Sequence, residues 1–307
     1  MPAYQLDDML LHALKAVQRT APDQFIVVVD GGDAQVVQAA QAAGAETFVT
    51  AEQCGPAVAR NVGARHATGG ILFFVDSDVV ISADTIPHVR CAFRDETLDG
   101  LIGSYDAYPA APDFLSQYRN LLHHFTHQQS GGEAFTFWGA CGAIRREPFM
   151  AVGGYDETFP HPSIEDIELG YRLRAAGYRL ELDPTLQVKH LKRWKVGNML
   201  KTDLFRRALP WSRLLLSGNG FTEGLNIKRN QRISVALAFL LPVAVLFRRG
   251  VLPIVMMLGW FNRAFYRFLY RERGAMFVAK TGFWHWVYFL CSGLGYMLAM
   301  LEKVLRR

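Results

Sequence analysis

The first 190 residues predict an α/β fold with a mostly parallel sheet, and a helical, membrane-associated region is expected to follow. Three observations carry this. Short β-branched runs alternate with helix-patterned segments. Acidic residues stand directly after two of the runs: Asp30 after Val27-Val28-Val29, and Asp76 with Asp78 after Ile71-Leu72-Phe73-Phe74-Val75. Charge also divides the chain. Residues 1–190 hold 13 Lys and Arg against 24 Asp and Glu, a net of −11, whereas residues 191–307 hold 20 against 4, a net of +16.

Taken in order, residues 7–19 place apolar side chains at helical spacing behind two aspartates, which suit a helix start. Phe25–Val29 reads as a buried strand ending in Asp30-Gly31-Gly32-Asp33. Residues 34–43 read as helix and 46–50 as a second strand. Residues 56–67 read as a helix with Pro56 in its first turn. Ile71–Val75 is a third strand ending in Asp76-Ser77-Asp78, and Pro87–Phe93 is a further helix. Residues 100–164, rich in glycine and aromatics, give no regular period. A helix follows at Glu165–Ala176, stopped by Gly177, and Leu180–His190 is the last strand. In such sheets ligands bind at the carboxyl ends of strands, which is where Asp30, Asp76 and Asp78 fall.

From Trp194 to Leu216, Lys and Arg on one side face Trp, Leu and Phe on the other, the pattern of an interfacial amphipathic helix broken near Pro210. Ile233–Phe247 and Val251–Asn262 are 15 and 12 residues without charge, each short against the roughly 20 needed to span a bilayer. Thr281–Leu301 is 21 residues free of Asp, Glu, Lys and Arg, the best span. Arg263, Arg267, Arg271 and Arg273 mark a cytosolic connection by the positive-inside rule. The expected organisation is thus an α/β domain at 1–193, an interfacial region at 194–230 and a transmembrane region at 231–307. Residues 1–20 lack a basic start followed by an apolar core, so no secretory leader is expected.

Composition excludes several classes. Half of the 307 residues are apolar, too many for a disordered chain. The four cysteines, without a CxxC pair, suit neither a disulfide scaffold nor a thiolate zinc site. No GxGxxG follows the Val-rich strand, against a dinucleotide oxidoreductase. The positive charge lies beside apolar spans, so no nucleic-acid partner is expected.

The sharpest chemical feature is Asp76-Ser77-Asp78. Two carboxylates at i and i+2 on a strand end can share a hard cation such as Mg²⁺ or Mn²⁺, which prefers oxygen ligands and bridges to phosphates. A solvated, capping turn is the ordinary alternative for the tripeptide alone. Context adds to it: Pro2-Ala3-Tyr4, Asp30-Gly31-Gly32, Gly55–Gly63, Gly139–Arg145, Gly153–Glu157 and Glu165-Asp166 follow in order. In this order the chain resembles the family-2 glycosyltransferases of the GT-A fold, over roughly residues 2–190, in a membrane-associated subgroup.

That resemblance implies a Rossmann-like domain that lacks its usual first strand, since the apolar run that precedes Pro-Ala-Tyr in the family is not in the sequence. It implies that Asp30 contacts the nucleotide base, with Pro2, Ala3 and Tyr4 lining the same pocket. Arg60 would lie near the nucleotide, Asp76 near the ribose, and Asp78 on the metal. Asp166 would be the catalytic base with Glu165 beside it. His190 would complete the metal shell, and Trp194, ending a partial (Gln/Arg)xxRW motif, would lie near the acceptor or anchor at the membrane interface. The implied reaction is inverting transfer from a nucleotide sugar to a lipid or lipid-linked acceptor, with Mg²⁺ or Mn²⁺ as cofactor and the catalytic domain on the cytoplasmic side of a membrane. The alternatives are a polyprenyl-phosphate sugar synthase or a non-catalytic nucleotide-sugar-binding membrane protein.

Overall fold

The computed structural model describes residues 1–218 and 228–306. The chain divides into two compact units, residues 1–112 with 127–193 and residues 113–126 with 194–307.

The first unit opens with β1 (Pro2–Ala3), a two-residue strand, and α1 (Asp8–Arg19), capped where Asp7 accepts from the Leu10 amide at 2.9 Å. Then come β2 (Ile26–Val29), α2 (Ala34–Ala42), β3 (Glu46–Val49), α3 (Pro56–His66), β4 (Ile71–Val75), β5 (Val79–Val80), α4 (Thr85–Ala92) and β6 (Gly100–Tyr105). After α5 (Phe114–Gln128) the chain continues through β7 (Gly132–Glu133), β8 (Cys141–Arg145), α6 (Arg146–Ala151), α7 (Glu165–Ala175) and β9 (Leu180–His190). A three-stranded sheet has the order β1-β2-β3, and both its pairings are parallel. A six-stranded sheet has the order β4-β8-β6-β9-β5, with β7 on β9. In it β6 runs parallel to β9, and the other pairs are antiparallel.

The pattern that sequence reading left irregular at 100–164 contains the two central strands β6 and β8. Both are buried on their two faces, so neither shows a period of two. Glycine interrupts them where backbones come close: a Cβ on Gly103 would meet the Leu186 carbonyl at 2.6 Å and Cys141 Sγ at 2.7 Å. Around the sheets, Val27 and Val29 pack with Leu10, Leu14 and Val36. Phe74 is ringed by Phe137, Phe149 and Tyr155, with centroids 5.3–6.0 Å apart.

The second unit is helical. Its part of α5, residues 113–126, was expected in the catalytic domain but groups here for a physical reason. Its aromatic face packs Phe114 on Phe277 and Phe125 on Phe265, and Tyr118 Oη meets His285 Nδ1 at 3.0 Å. Next stand α8 (Val196–Lys201), a π-helical stretch Thr202–Ala208, and α9 (Leu209–Leu216). The break expected at Pro210 is instead a widened turn just before it. Proline sits in the first turn of α9, where its missing N–H and its ring are accommodated by the open π register. Then follow α10 (Arg229–Leu246), α11 (Val251–Phe261), α12 (Arg263–Arg273) and α13 (Ala275–Leu305). By length and composition α10 and α13 could cross a membrane, while α11 is shorter. The part of the expected interfacial region at 219–227 lies outside the described residues.

Candidate active site

The parallel pairing of Ala3 with Val29 sets Tyr4 and Asp30 side by side at two carboxyl ends. The Asp30 amide donates to the Ala3 carbonyl at 2.7 Å. Ala3 is buried and the Tyr4 ring is exposed. Asp30 itself is buried. Its Oδ1 accepts from Thr50 Oγ1 at 2.9 Å and the Cys54 amide at 2.8 Å, and its Oδ2 from the Gly55 amide at 2.9 Å. A carboxylate offers about four lone-pair sites, so Asp30 is in the first place an anchor tying loop 51–55 to β2. Gly55 then turns into α3 at φ +94°, where a Cβ would lie 2.5 Å from the Pro160 carbonyl oxygen.

Arg60 on α3 is the hub of the unit. One guanidinium nitrogen donates to Asp76 Oδ1 at 2.6 Å and the other to Glu165 Oε1 at 3.0 Å. Its Cζ stands 5.2 Å from the centre of the Tyr155 ring. Burial alone would favour losing the proton, but Asp76, Tyr155 and Glu165 outweigh it and hold Arg60 charged well above the usual arginine range. Burial, with Asp166, Glu165 and Asp76 nearby, pushes the Tyr155 phenol far up against the pull of Arg60. Gly139 makes this packing possible, since a Cβ there would lie 2.8 Å from Tyr155 Oη and 3.1 Å from Arg60 Cζ.

Glu165 and Asp166 open α7 but differ. Glu165 is buried, and its second oxygen accepts from the Ser163 amide at 2.7 Å. Asp166 is half-buried and accepts from the Ile167 amide at 2.8 Å. The environment therefore makes Glu165 a partner of Arg60 and leaves Asp166 the more open carboxylate. On the neighbouring strand ends, Asp78 Oδ2 lies 3.6 Å from His190 Nε2, because Val79 pairs with His190 in the β5–β9 ladder. His190 stacks on Tyr105 with centroids 4.2 Å apart. Burial would raise the Asp78 carboxyl, but the adjacent His190, with Lys192 beyond, holds it below the usual carboxylate value.

The Asp78–His190 pair fits a divalent cation in its donor set, one hard oxygen and one imidazole nitrogen. Among the described residues no group of three or more His, Cys, Asp or Glu is gathered for a metal. A cation here would take its remaining ligands from water or a bound phosphate, as magnesium sites on one or two carboxylates do. Asp76 is less available, being held by Arg60.

Trp194 falls in the second unit, not with these residues. It is buried, its amide donates to Ser116 Oγ at 2.8 Å, and Arg119 lies over its ring at 5.3 Å. Sequence alone assigns no role to Thr50, Asn61 or Tyr155. Asn61 accepts from the Tyr155 amide at 2.9 Å and donates to the Tyr155 carbonyl at 2.8 Å. The signal lies in Arg60-Asn61 and Gly153-Gly154-Tyr155, next to the acidic pair Asp156-Glu157. Of that pair, Asp156 caps its own turn at the Thr158 amide and Glu157 accepts from Asn61.

Comparisons with known proteins bear on the family and the fold. The glycosyl transferase family 2 profile matches residues 1–153. The pre-mycofactocin glycosyltransferase of Mycobacterium tuberculosis is 27% identical over 197 residues, covering 59% of this chain and 40% of that protein. The validoxylamine A glucosyltransferase of Streptomyces hygroscopicus subsp. limoneus is 30% identical over 218 residues, covering 58% and 47%. The chain thus spans less than half the length of these relatives. Among solved structures, a mannosyltransferase of Pyrobaculum calidifontis, determined with GDP-Man and Mn²⁺, matches with a TM-score of 0.53 at 16% identity, covering 99% of this chain and 85% of that one. On the ordered motifs, the fold and the profile match, this chain belongs to glycosyl transferase family 2, with the GT-A fold.

Proposed function

We propose that the protein is an inverting, metal-dependent glycosyltransferase that moves a sugar from a nucleotide sugar to a membrane-associated, lipid or lipid-linked acceptor. The observation that carries this is the gathering of Asp76, Glu165 and Tyr155 on Arg60, with Asp166 next in α7 and the Asp78–His190 pair on the adjoining strand ends.

In this reading Asp30, Pro2, Ala3 and Tyr4 form the base pocket, and Asp76, set by Arg60, meets the ribose. Asp78 and His190 would hold Mg²⁺ or Mn²⁺, which when bound would offset negative charge on the leaving diphosphate. The metal assignment is supported by the donor set here and by a fold relative solved with GDP-Man and Mn²⁺. Asp166 takes the proton of the acceptor hydroxyl, which is a poor nucleophile until a placed carboxylate does so. One direct displacement inverts the anomeric centre and needs no enzyme nucleophile. Glu165 acts as a positioning residue through Arg60.

Membrane attachment is supported by α10 and α13 and by large exposed apolar side chains along them, among them Leu246, Phe283 and Leu301. A cytoplasmic catalytic unit is supported by the basic flanks of these helices and by free, scattered cysteines;.

The test is a thermal-stability titration of the full chain in detergent with UDP- and GDP-linked sugars, with and without Mn²⁺. A nucleotide sugar is expected to raise the unfolding midpoint more with Mn²⁺ than without, and Asp78→Ala is expected to abolish the metal's share. No stabilisation by any nucleotide sugar would defeat the reading.

A further inference from the structure

One row of cations in the second unit has no carboxylate partner among the described residues. α12 buries Phe265 and Leu269 and sets Phe265 and Phe268 against Phe125 of α5. Arg263, Arg267 and Arg271, four residues apart and so along one side of the helix, are exposed. Three other arginines of the unit have acceptors: Arg119 has Asp203, Arg213 has Glu302 and Arg273 has Gln117. For Arg263, Arg267 and Arg271 no carboxylate lies within ion-pair distance among the described residues.

The helix that leads into this row has the opposite character. α11 carries no charged residue and exposes Leu252, Val255, Met256 and Trp260. Its 11 residues rise about 16 Å, half of the roughly 30 Å hydrocarbon thickness, so it does not span. At the junction Arg263 lies 4.2 Å over the Trp260 ring and donates to the Trp260 carbonyl at 3.0 Å. Tryptophan at headgroup depth with arginine beside it is the pairing expected where hydrocarbon gives way to phosphate.

We propose that α11 and α12 form a binding site for anionic phospholipid headgroups: α11 rests its apolar side among the acyl chains, and Arg263, Arg267 and Arg271 bind the phosphates. The site rests on the membrane attachment proposed above and adds to it a lipid class and the residues that select it. An acidic soluble partner would match the charge but leave Leu252, Val255 and Met256 in water. An anionic bilayer surface satisfies both helices together.

The experiment uses the full chain in mixed micelles of equimolar phosphatidylglycerol and phosphatidylcholine, with co-purified lipid counted by native mass spectrometry. Phosphatidylglycerol should be enriched. Each Arg→Gln change is expected to lower the enrichment about fivefold, and R263Q/R267Q/R271Q together roughly a hundredfold, so that the preference vanishes. The triple Arg→Lys variant should keep most of it, and R213Q, whose arginine is paired, all of it. Equal lipid composition in wild type, undiminished enrichment in the triple Gln variant, or self-association that depends on the three arginines in place of lipid preference would overturn the site. Alkaline extraction of native membranes separates the two failures. Release of the protein without detergent refutes the membrane reading and the site with it, whereas retention without enrichment refutes the site alone.

Discussion

Arg60 and Arg119 are each 6% exposed, one in each unit, and each pairs with buried acid. Their settings differ. Arg60 is shared between Glu165, 6% exposed, and Asp76, 30% exposed, so its network opens toward solvent at one carboxylate. Arg119 meets Asp203 at 2.9 Å with both side chains buried, and the Arg119 guanidinium lies over the Trp194 ring. A buried ion pair is weak evidence for stability as such, because desolvation of two charges offsets their attraction. The open pair leaves Asp76 partly exposed to solvent. The closed pair fixes α5 to the π-helical stretch and presents nothing.

The largest expected effect separates chemistry from fold. Asp166→Asn should lower turnover by about 10²–10⁴, the usual worth of a general base, while the thermal unfolding midpoint stays in place. Loss of both would mean that Asp166 is structural. Next, Arg60→Met and Arg119→Met should each destabilise by about 3–5 kcal/mol, since each strands a buried carboxylate. The comparison then sharpens in double variants read by denaturation and by turnover. R119M/D203L should recover stability, as apolar replacement of a sealed pair commonly does. R60M/E165L should recover less and stay inactive, because Asp76 remains without its partner. Gly139→Ala should cost about 1–3 kcal/mol by overpacking and reduce kcat, as the new methyl meets Tyr155 Oη and Arg60 Cζ. The smallest effect is electrostatic. Burial alone would raise the Asp183 carboxyl, but bonds from Thr185 and His88 keep it below its ordinary 3.8 in the fold. Its stabilisation is therefore complete above that value and lost as pH falls through the lower folded value. Asp183→Asn should flatten the acid limb of the stability–pH curve and leave the neutral region alone.

Much of this was legible in the residues. β9 was read as Leu180–His190 and occurs with those bounds, because a long alternating run between Gly177 and a basic segment has few other readings. α3 was visible through Pro56, and the strand before Asp76 through its apolar run. The interior at 100–164 was not. β6 and β8 are short, buried on both faces and interrupted by glycine, which removes the period that identifies a strand. At the site, residue types pointed to Asp30, Asp76 and Asp78 but not to how each is held. Thr50 and Asn61 act through hydrogen bonds to groups 20 and 94 residues away in sequence, a separation that no local pattern encodes. For α5, helical spacing alone did not disclose that its aromatic face belongs with α12 and α13.

The widened turn at Thr202–Ala208 has a consequence for how the chain tolerates changes of length. A π stretch is an α-helix carrying a surplus of backbone for its rise, so it gathers a misfit into one place and spares the rod on either side. Deleting a single residue between Leu204 and Arg207 would draw on slack, whereas the same deletion within α8 or α9 would rotate every side chain beyond it. Sister sequences of unequal length should therefore differ here first.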